Sequence, residues 1–137
     1  MKIAIRYYTK TGNTKKLAEA LSEAVGVEAL TVDTPLTEDI DILFLGSAVY
    51  AAGVDSKIKE FIESINNVNV GKIVNFSSAA LIESTYKQVK KIAEDNGLTM
   101  AEEEFHCRGA FKFVHRGHPN DEDVNNLVEF AKKIVSP

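Results

Sequence analysis

Apolar positions along this chain fall into short continuous runs separated by stretches of helical spacing. Met1–Tyr8 is apolar and β-branched and reads as a buried strand. Leu17, Leu21, Ala24 and Val25 then recur at helical intervals, predicting a helix over Asn13–Val25 that Gly26 ends. Val27–Val32 is a second strand, broken by Asp33-Thr34-Pro35. Ile42–Ser47 is a third, apolar throughout, as expected where both faces of a parallel strand are covered. The Ser47–Gly53 segment is a small-residue loop. Asp55 or Ser56 caps the next helix, whose Ile58, Phe61, Ile62 and Ile65 fall at i, i+3, i+4 and i+7.

Lys72–Phe76 predicts a fourth strand, followed by a loop over Ser77–Ala80. A helix over Ser84–Asn96 turns Tyr86, Val89, Ile92 and Ala93 inward and stops at Gly97. Leu98–Cys107 is the fifth strand, and its Glu102-Glu103-Glu104 run marks it as a sheet edge. Arg108–Pro119 is irregular. The last helix starts at Asn120 with Asp121, Glu122 and Asp123 in its first turn, where negative charge is favoured. Val124, Leu127, Val128, Ala131, Ile134 and Val135 form its apolar face. Strands alternate with helices from end to end, which predicts an open parallel sheet covered on both faces. Periodicity alone does not settle the strand order.

The chemistry concentrates in Thr9-Lys10-Thr11-Gly12-Asn13-Thr14, between the first strand and the first helix. Helix N-termini carry unpaired N–H donors and a partial positive charge, so a phosphate is favoured there. Thr9, Thr11 and Thr14 add hydroxyl donors, and Gly12 lets the backbone approach a ligand with no Cβ in the way. The stretch lacks the Gly-Lys-Ser/Thr ending of nucleotide P-loops and the spaced glycines of dinucleotide-binding turns. A threonine-built cradle suits a terminal monophosphate.

In these six residues the chain resembles the flavodoxins, whose Thr/Ser-x-Thr-Gly-Asn-Thr loop holds the phosphate of FMN. The resemblance extends over nearly the whole chain. Gly46-Ser47-Ala48-Val49-Tyr50, followed by Ile58-Lys59-Glu60-Phe61-Ile62, looks like the family's second flavin-contacting loop and its helix. Phe105-His106-Cys107-Arg108-Gly109 and Gly117-His118-Pro119-Asn120 look like the closing region of short bacterial members.

The resemblance implies a single α/β domain over residues 1–137: a flavodoxin-like three-layer sandwich with a five-stranded parallel sheet of order 2-1-3-4-5. In that order a crevice opens between the first and third strands, where the threonine loop and the Tyr50 loop meet. The implied cofactor is FMN. Thr9, Lys10, Thr11, Gly12, Asn13 and Thr14 would hold its phosphate, with Ala48, Val49 and Tyr50 in the second loop. Tyr50 would stack on the ring, the backbone of Ala51, Ala52 and Gly53 would meet the flavin edge, and that of Ser77, Ser78 and Ala79 its pyrimidine part. Many members sandwich the ring between two aromatics; this chain has no tryptophan, so the ring is expected to be more open on one side.

The expected function is electron transfer between redox partner proteins, with FMN as carrier. An FMN-dependent NAD(P)H:quinone-type reductase is the alternative, and a non-redox module that has lost its flavin is a third reading, opposed by the intact threonine loop. Composition narrows the partners. The 137 residues carry a formal net charge of −4, which argues against nucleic acid or an anionic membrane and suits a basic protein face. The single cysteine, Cys107, excludes an internal disulfide and fits a reducing cytoplasm. No run has the length of a membrane span and no signal-peptide layout opens the chain, so a cytoplasmic monomer is expected. Cys107, His115 and His118 match no zinc pattern, so no metal is expected.

Overall fold

The structure, a computed structural model, describes residues 1–10, 12–49, 55–79, 85–108 and 119–136. Its elements are β1 (Ile3–Tyr7), α1 (Asn13–Val25), β2 (Ala29–Thr31), β3 (Ile40–Val49), α2 (Ser56–Glu63), β4 (Val70–Ala79), α3 (Tyr86–Asp95), β5 (Phe105–Arg108) and α4 (Asp121–Val135). All strand pairs are parallel, and the sheet order is β2-β1-β3-β4-β5. The flavodoxin-like order is therefore the observed one.

Successive strand residues point to opposite faces, and the core divides accordingly. On one side Ala4, Leu43, Leu45 and Ile73 pack under Ile58, Phe61 and Ile62 of α2 and Val89 and Ala93 of α3. On the other, Ile5, Ile42, Phe44, Val74 and Phe76 pack under Leu17, Ala18 and Leu21 of α1 and Leu127 and Ala131 of α4. The helices are amphipathic because each covers only one of these faces.

Three expectations change. The crossover from β2 to β3, residues 32–39, contains no helix, so the alternation is interrupted there. Pro35 lacks the N–H that a helix interior needs, and Arg6 takes part of the place a helix would fill. Its buried guanidinium donates from Nε to the Thr34 carbonyl at 2.8 Å and from Nη1 to that of Ile5 at 3.0 Å. A longer Nη2 contact reaches the Pro35 carbonyl at 3.4 Å.

The predicted strand over Leu98–Cys107 shrinks to Phe105–Arg108. Thr99 and Ala101 still bond to Ile73 through their backbones, and Met100 forms a bridge with it. Glu102 and Glu103 then leave the ladder for solvent, since consecutive carboxylates cannot alternate into an apolar face without burying charge.

β3 and β4, by contrast, run further than their apolar cores. Ser47, Ala48 and Val49 pair with Ser77, Ser78 and Ala79, so neither Ser47–Val49 nor Ser77–Ala79 is loop. Buried serines persist in these strands because most of their hydroxyls find partners inside the fold.

Candidate functional site

The C-terminal ends of β1, β3 and β4 converge on one edge of the sheet, with the N-terminus of α1 behind them. The turn after β1 closes when the Gly12 N–H donates to Thr9 Oγ1 at 3.0 Å. Gly12 itself has φ 90° and ψ −5°, a left-handed conformation that side chains disfavour. A Cβ built there would meet nothing within 4 Å, so the apex of the turn borders open space.

α1 starts at this point, its first bond running from the Lys16 N–H to the Gly12 carbonyl at 3.0 Å. Gly12 offers no side-chain cap, and no acidic residue lies in the first turn. The starts of α2 and α4 are built differently, whereas α3, like α1, has no side-chain cap and no acidic residue in its first turn. Asp55 caps α2 by accepting from the Lys57 N–H at 2.9 Å. Asn120 and Asp123 form a reciprocal capping box on α4, both bonds at 2.9 Å. α1 therefore presents a positive dipole end that no acidic side chain of its own first turn offsets.

Thr14 is fully buried beneath the turn. Its hydroxyl donates to the Ser47 carbonyl at 3.2 Å and lies 3.2 Å from Ser78 Oγ, tying α1 to both central strands. Gly46 makes room for this contact: a Cβ on Gly46 would run into the Phe76 ring and come within 3.0 Å of Thr14 Cγ2.

On the opposite face, Ser47 Oγ donates to Thr85 Oγ1 at 2.8 Å and Asn75 Nδ2 donates to the same oxygen at 3.0 Å. Asn75 Oδ1 and Ser77 Oγ are buried with no hydrogen-bond partner among the described residues. Asn75, Thr85 and the Ser47 side chain did not enter the sequence-derived site. The available signal was a lone asparagine inside the apolar run Ile73–Phe76, a position where an unpaired amide would be costly.

Two lysines reach from the turn region to neighbouring segments. Lys10 Nζ lies 3.2 Å from Asp55 Oδ2, across to the chain that follows β3. Lys16 Nζ donates to the Pro119 carbonyl at 2.6 Å, just ahead of α4. The Asp55 carboxyl is held below the ordinary carboxylate range, chiefly by the Lys57 backbone N–H and further by Lys10.

Of the sequence-derived site residues, the structure brings Thr9, Lys10, Gly12, Asn13, Thr14, Ser77 and Ser78 to this edge of the sheet. Ala48, Val49 and Ala79 occupy the strand ends beside them. Thr11, Tyr50, Ala51, Ala52 and Gly53 lie outside the described residues, as do His115 and His118. Cys107 is buried on β5, and burial, with Asp123 adding to it, pushes its thiol up to about 12. Among the described residues no helix is long and apolar enough to cross a membrane.

The sequence model of the flavodoxin domain matches residues 4–114, from β1 past the end of β5. This chain belongs to the flavodoxin family. An uncharacterised protein of Methanocaldococcus jannaschii is 25% identical over 136 residues, with 90% of each chain covered. A flavodoxin from the domain Archaea superposes with a TM-score of 0.75 at 16% identity, covering 98% of this chain and 96% of the other. Oxidised flavodoxin 2 of Bacillus cereus gives 0.67 at 19% identity and 96% coverage of both chains. Two-electron-reduced flavodoxin of Megasphaera elsdenii gives 0.62 at 19%, covering 96% and 98%. At these identities the superpositions speak to the fold. The flavodoxin fold is thus shared along essentially the whole chain.

Proposed function

We propose that this protein binds FMN at the C-terminal edge of its sheet and carries electrons between redox partner proteins. The observation that carries the reading is the start of α1: a left-handed Gly12 at the apex of a threonine turn, open space where its Cβ would stand, and a dipole end without an acidic cap. The residues present fit a phosphate. Thr9 and Gly12 shape the turn, and the first-turn backbone of α1 supplies donors and positive potential. Thr14 fixes the turn to β3 and β4 from below.

The bound flavin would supply the redox chemistry. The chain's part is to hold the phosphate, orient the ring along the ends of β3 and β4, and limit water around it. Tyr50 is the stacking residue in this reading, and the segments around Ala51-Ala52-Gly53 and Ser77-Ser78-Ala79 border the ring. A net charge of −4 suits docking to a basic face on each partner. The lone buried thiol suits the reducing cytoplasm.

The test is retention of flavin. Purified protein mixed with FMN and desalted is expected to keep the yellow chromophore near one equivalent, and riboflavin is expected to bind much more weakly. Gly12→Val, which forces a β-branched side chain into a left-handed position at the apex, should weaken FMN more than riboflavin. Equal affinity for the two flavins would overturn the assignment of the cradle.

A further inference from the structure

The turn Thr9–Thr14 contains a single charged residue, Lys10, and its charge is already engaged. Lys10 Nζ sits 3.2 Å from Asp55 Oδ2, with the lysine side chain 58% exposed and the aspartate only 17%. The pair is anchored at the aspartate end. Asp55 Oδ1 accepts from the Lys57 N–H at 2.9 Å, so the carboxylate cannot swing away without uncapping α2. The lysine end hangs on a flexible four-carbon stem.

The neighbouring cations have weaker or neutral contacts of their own. Lys57 lies 3.9 Å from Glu60, Lys15 lies 3.9 Å from Glu19, and Lys16 donates to the Pro119 carbonyl. Lys16 faces a neutral carbonyl and keeps its charge as a constant background, on which the Lys10–Asp55 pair adds or removes charge beside the start of α1.

We propose that Asp55 is a positioning residue for ligand specificity: by pairing with Lys10 it neutralises the only ammonium of the phosphate turn, and so sets how strongly the site prefers a phosphorylated flavin to an unphosphorylated one. This rests on the FMN reading and adds the residue that tunes it. With Lys10 neutralised by substitution, the Asp55 carboxylate loses its paired ammonium and repels an incoming phosphate dianion more strongly. With Asp55 neutralised, the Lys10 ammonium is no longer offset by that carboxylate and adds to the attraction. The two single substitutions thus act with opposite signs. A purely mechanical link between two loops would give the same sign for both, because either substitution breaks it.

The experiment measures dissociation constants for FMN and for riboflavin, by quenching of flavin fluorescence, in the wild type, Lys10→Gln, Asp55→Asn and the double variant. Asparagine keeps a side-chain oxygen for the Lys57 N–H, so α2 stays capped; Asp55→Ser, another good capping residue, serves as a second variant. The quantity read is the ratio of riboflavin to FMN dissociation constants, in which any general loss of folding cancels. Lys10→Gln should lower that ratio about threefold and Asp55→Asn should raise it about threefold, as expected for a screened, partly exposed pair. The double variant should return near the wild-type ratio, and about 0.5 M salt should compress all the differences. Both single variants moving the ratio the same way, or neither moving it, overturns the proposal while the FMN reading stands. A wild type that does not prefer FMN overturns both.

Discussion

Thr14 Oγ1 lies 3.2 Å from Ser78 Oγ, joining the first turn of α1 to the end of β4 across 64 positions of sequence. The same oxygen donates to the Ser47 carbonyl on β3, so one buried hydroxyl holds the helix start against two neighbouring strands. Any ligand seated on α1 is positioned relative to β3 and β4 through this contact. Thr14→Val keeps the shape and removes the hydroxyl, leaving the Ser78 hydroxyl without this partner. A loss of about 1–3 kcal/mol is expected, read as a lower urea midpoint at unchanged m-value. An unchanged midpoint would mean that the contact contributes nothing net.

Gly46 yields a second prediction from the same place. Its α-carbon backs onto the Phe76 ring, and an added methyl would overlap that ring. Gly46→Ala should cost about 1–3 kcal/mol by overpacking. Combining it with Phe76→Leu should recover part of the loss, because the smaller side chain vacates the contested space. If the double variant is as unstable as the sum of the singles, the clash is not the cause.

Much of this architecture was legible in the sequence, and the misses share a physical origin. Ile58, Phe61 and Ile62, or Leu127 and Ala131, repeat at the helical period because a helix buries a single stripe. Runs such as Ile42–Leu45 are apolar throughout because both sheet faces are covered. Periodicity, however, registers only apolar residues. It stopped β3 at Ser47 and β4 at Phe76, whereas the strands continue to Val49 and Ala79 with buried hydroxyls bonded across elements. Those partners come from distant positions, and no local pattern announces them. The helix-free crossover was masked by the general alternation of strands and helices, although no helical spacing marks residues 33–39; there the Thr34 and Pro35 carbonyls meet the Arg6 guanidinium instead. The threonine turn was visible because its order of residues is itself the signal, while Asp55 read only as a helix cap until its second oxygen was found against Lys10.

Cys107 should be inert in the native protein. Its thiol is pushed up from 9.0 to about 12, principally by burial, so almost no thiolate is present near neutral pH. Ellman's reagent at about pH 8 should react slowly with the folded chain and rapidly with one thiol after guanidinium unfolding. The sign of the linkage follows from the raised value. The folded state holds the thiol proton more tightly than the unfolded state, so this contribution to stability is complete below about pH 9 and is lost as pH rises toward about 12. Cys107→Ala should flatten that part of the pH–stability profile. A profile identical to that of the wild type would remove the cysteine as its source.

The last prediction separates a carrier from a two-electron reductase. A carrier needs its flavin accessible to protein partners and has no requirement for a nicotinamide site. The turn beside α1 is braced by Lys10 to Asp55 and by Lys16 to the Pro119 carbonyl. FMN-loaded protein reduced chemically under anaerobic conditions is therefore expected to pass electrons readily to cytochrome c, a basic one-electron acceptor. The rate should fall as salt is raised, because opposite charges steer the encounter. NAD(P)H mixed with the oxidised holoprotein should be consumed slowly, with or without a quinone. Rapid NAD(P)H-dependent quinone turnover, with cytochrome c reduction no faster than for free FMN, would assign the chain to the reductases. A salt-sensitive reaction with cytochrome c and negligible nicotinamide turnover would support the carrier, since that pairing needs a charged docking face and no second substrate pocket.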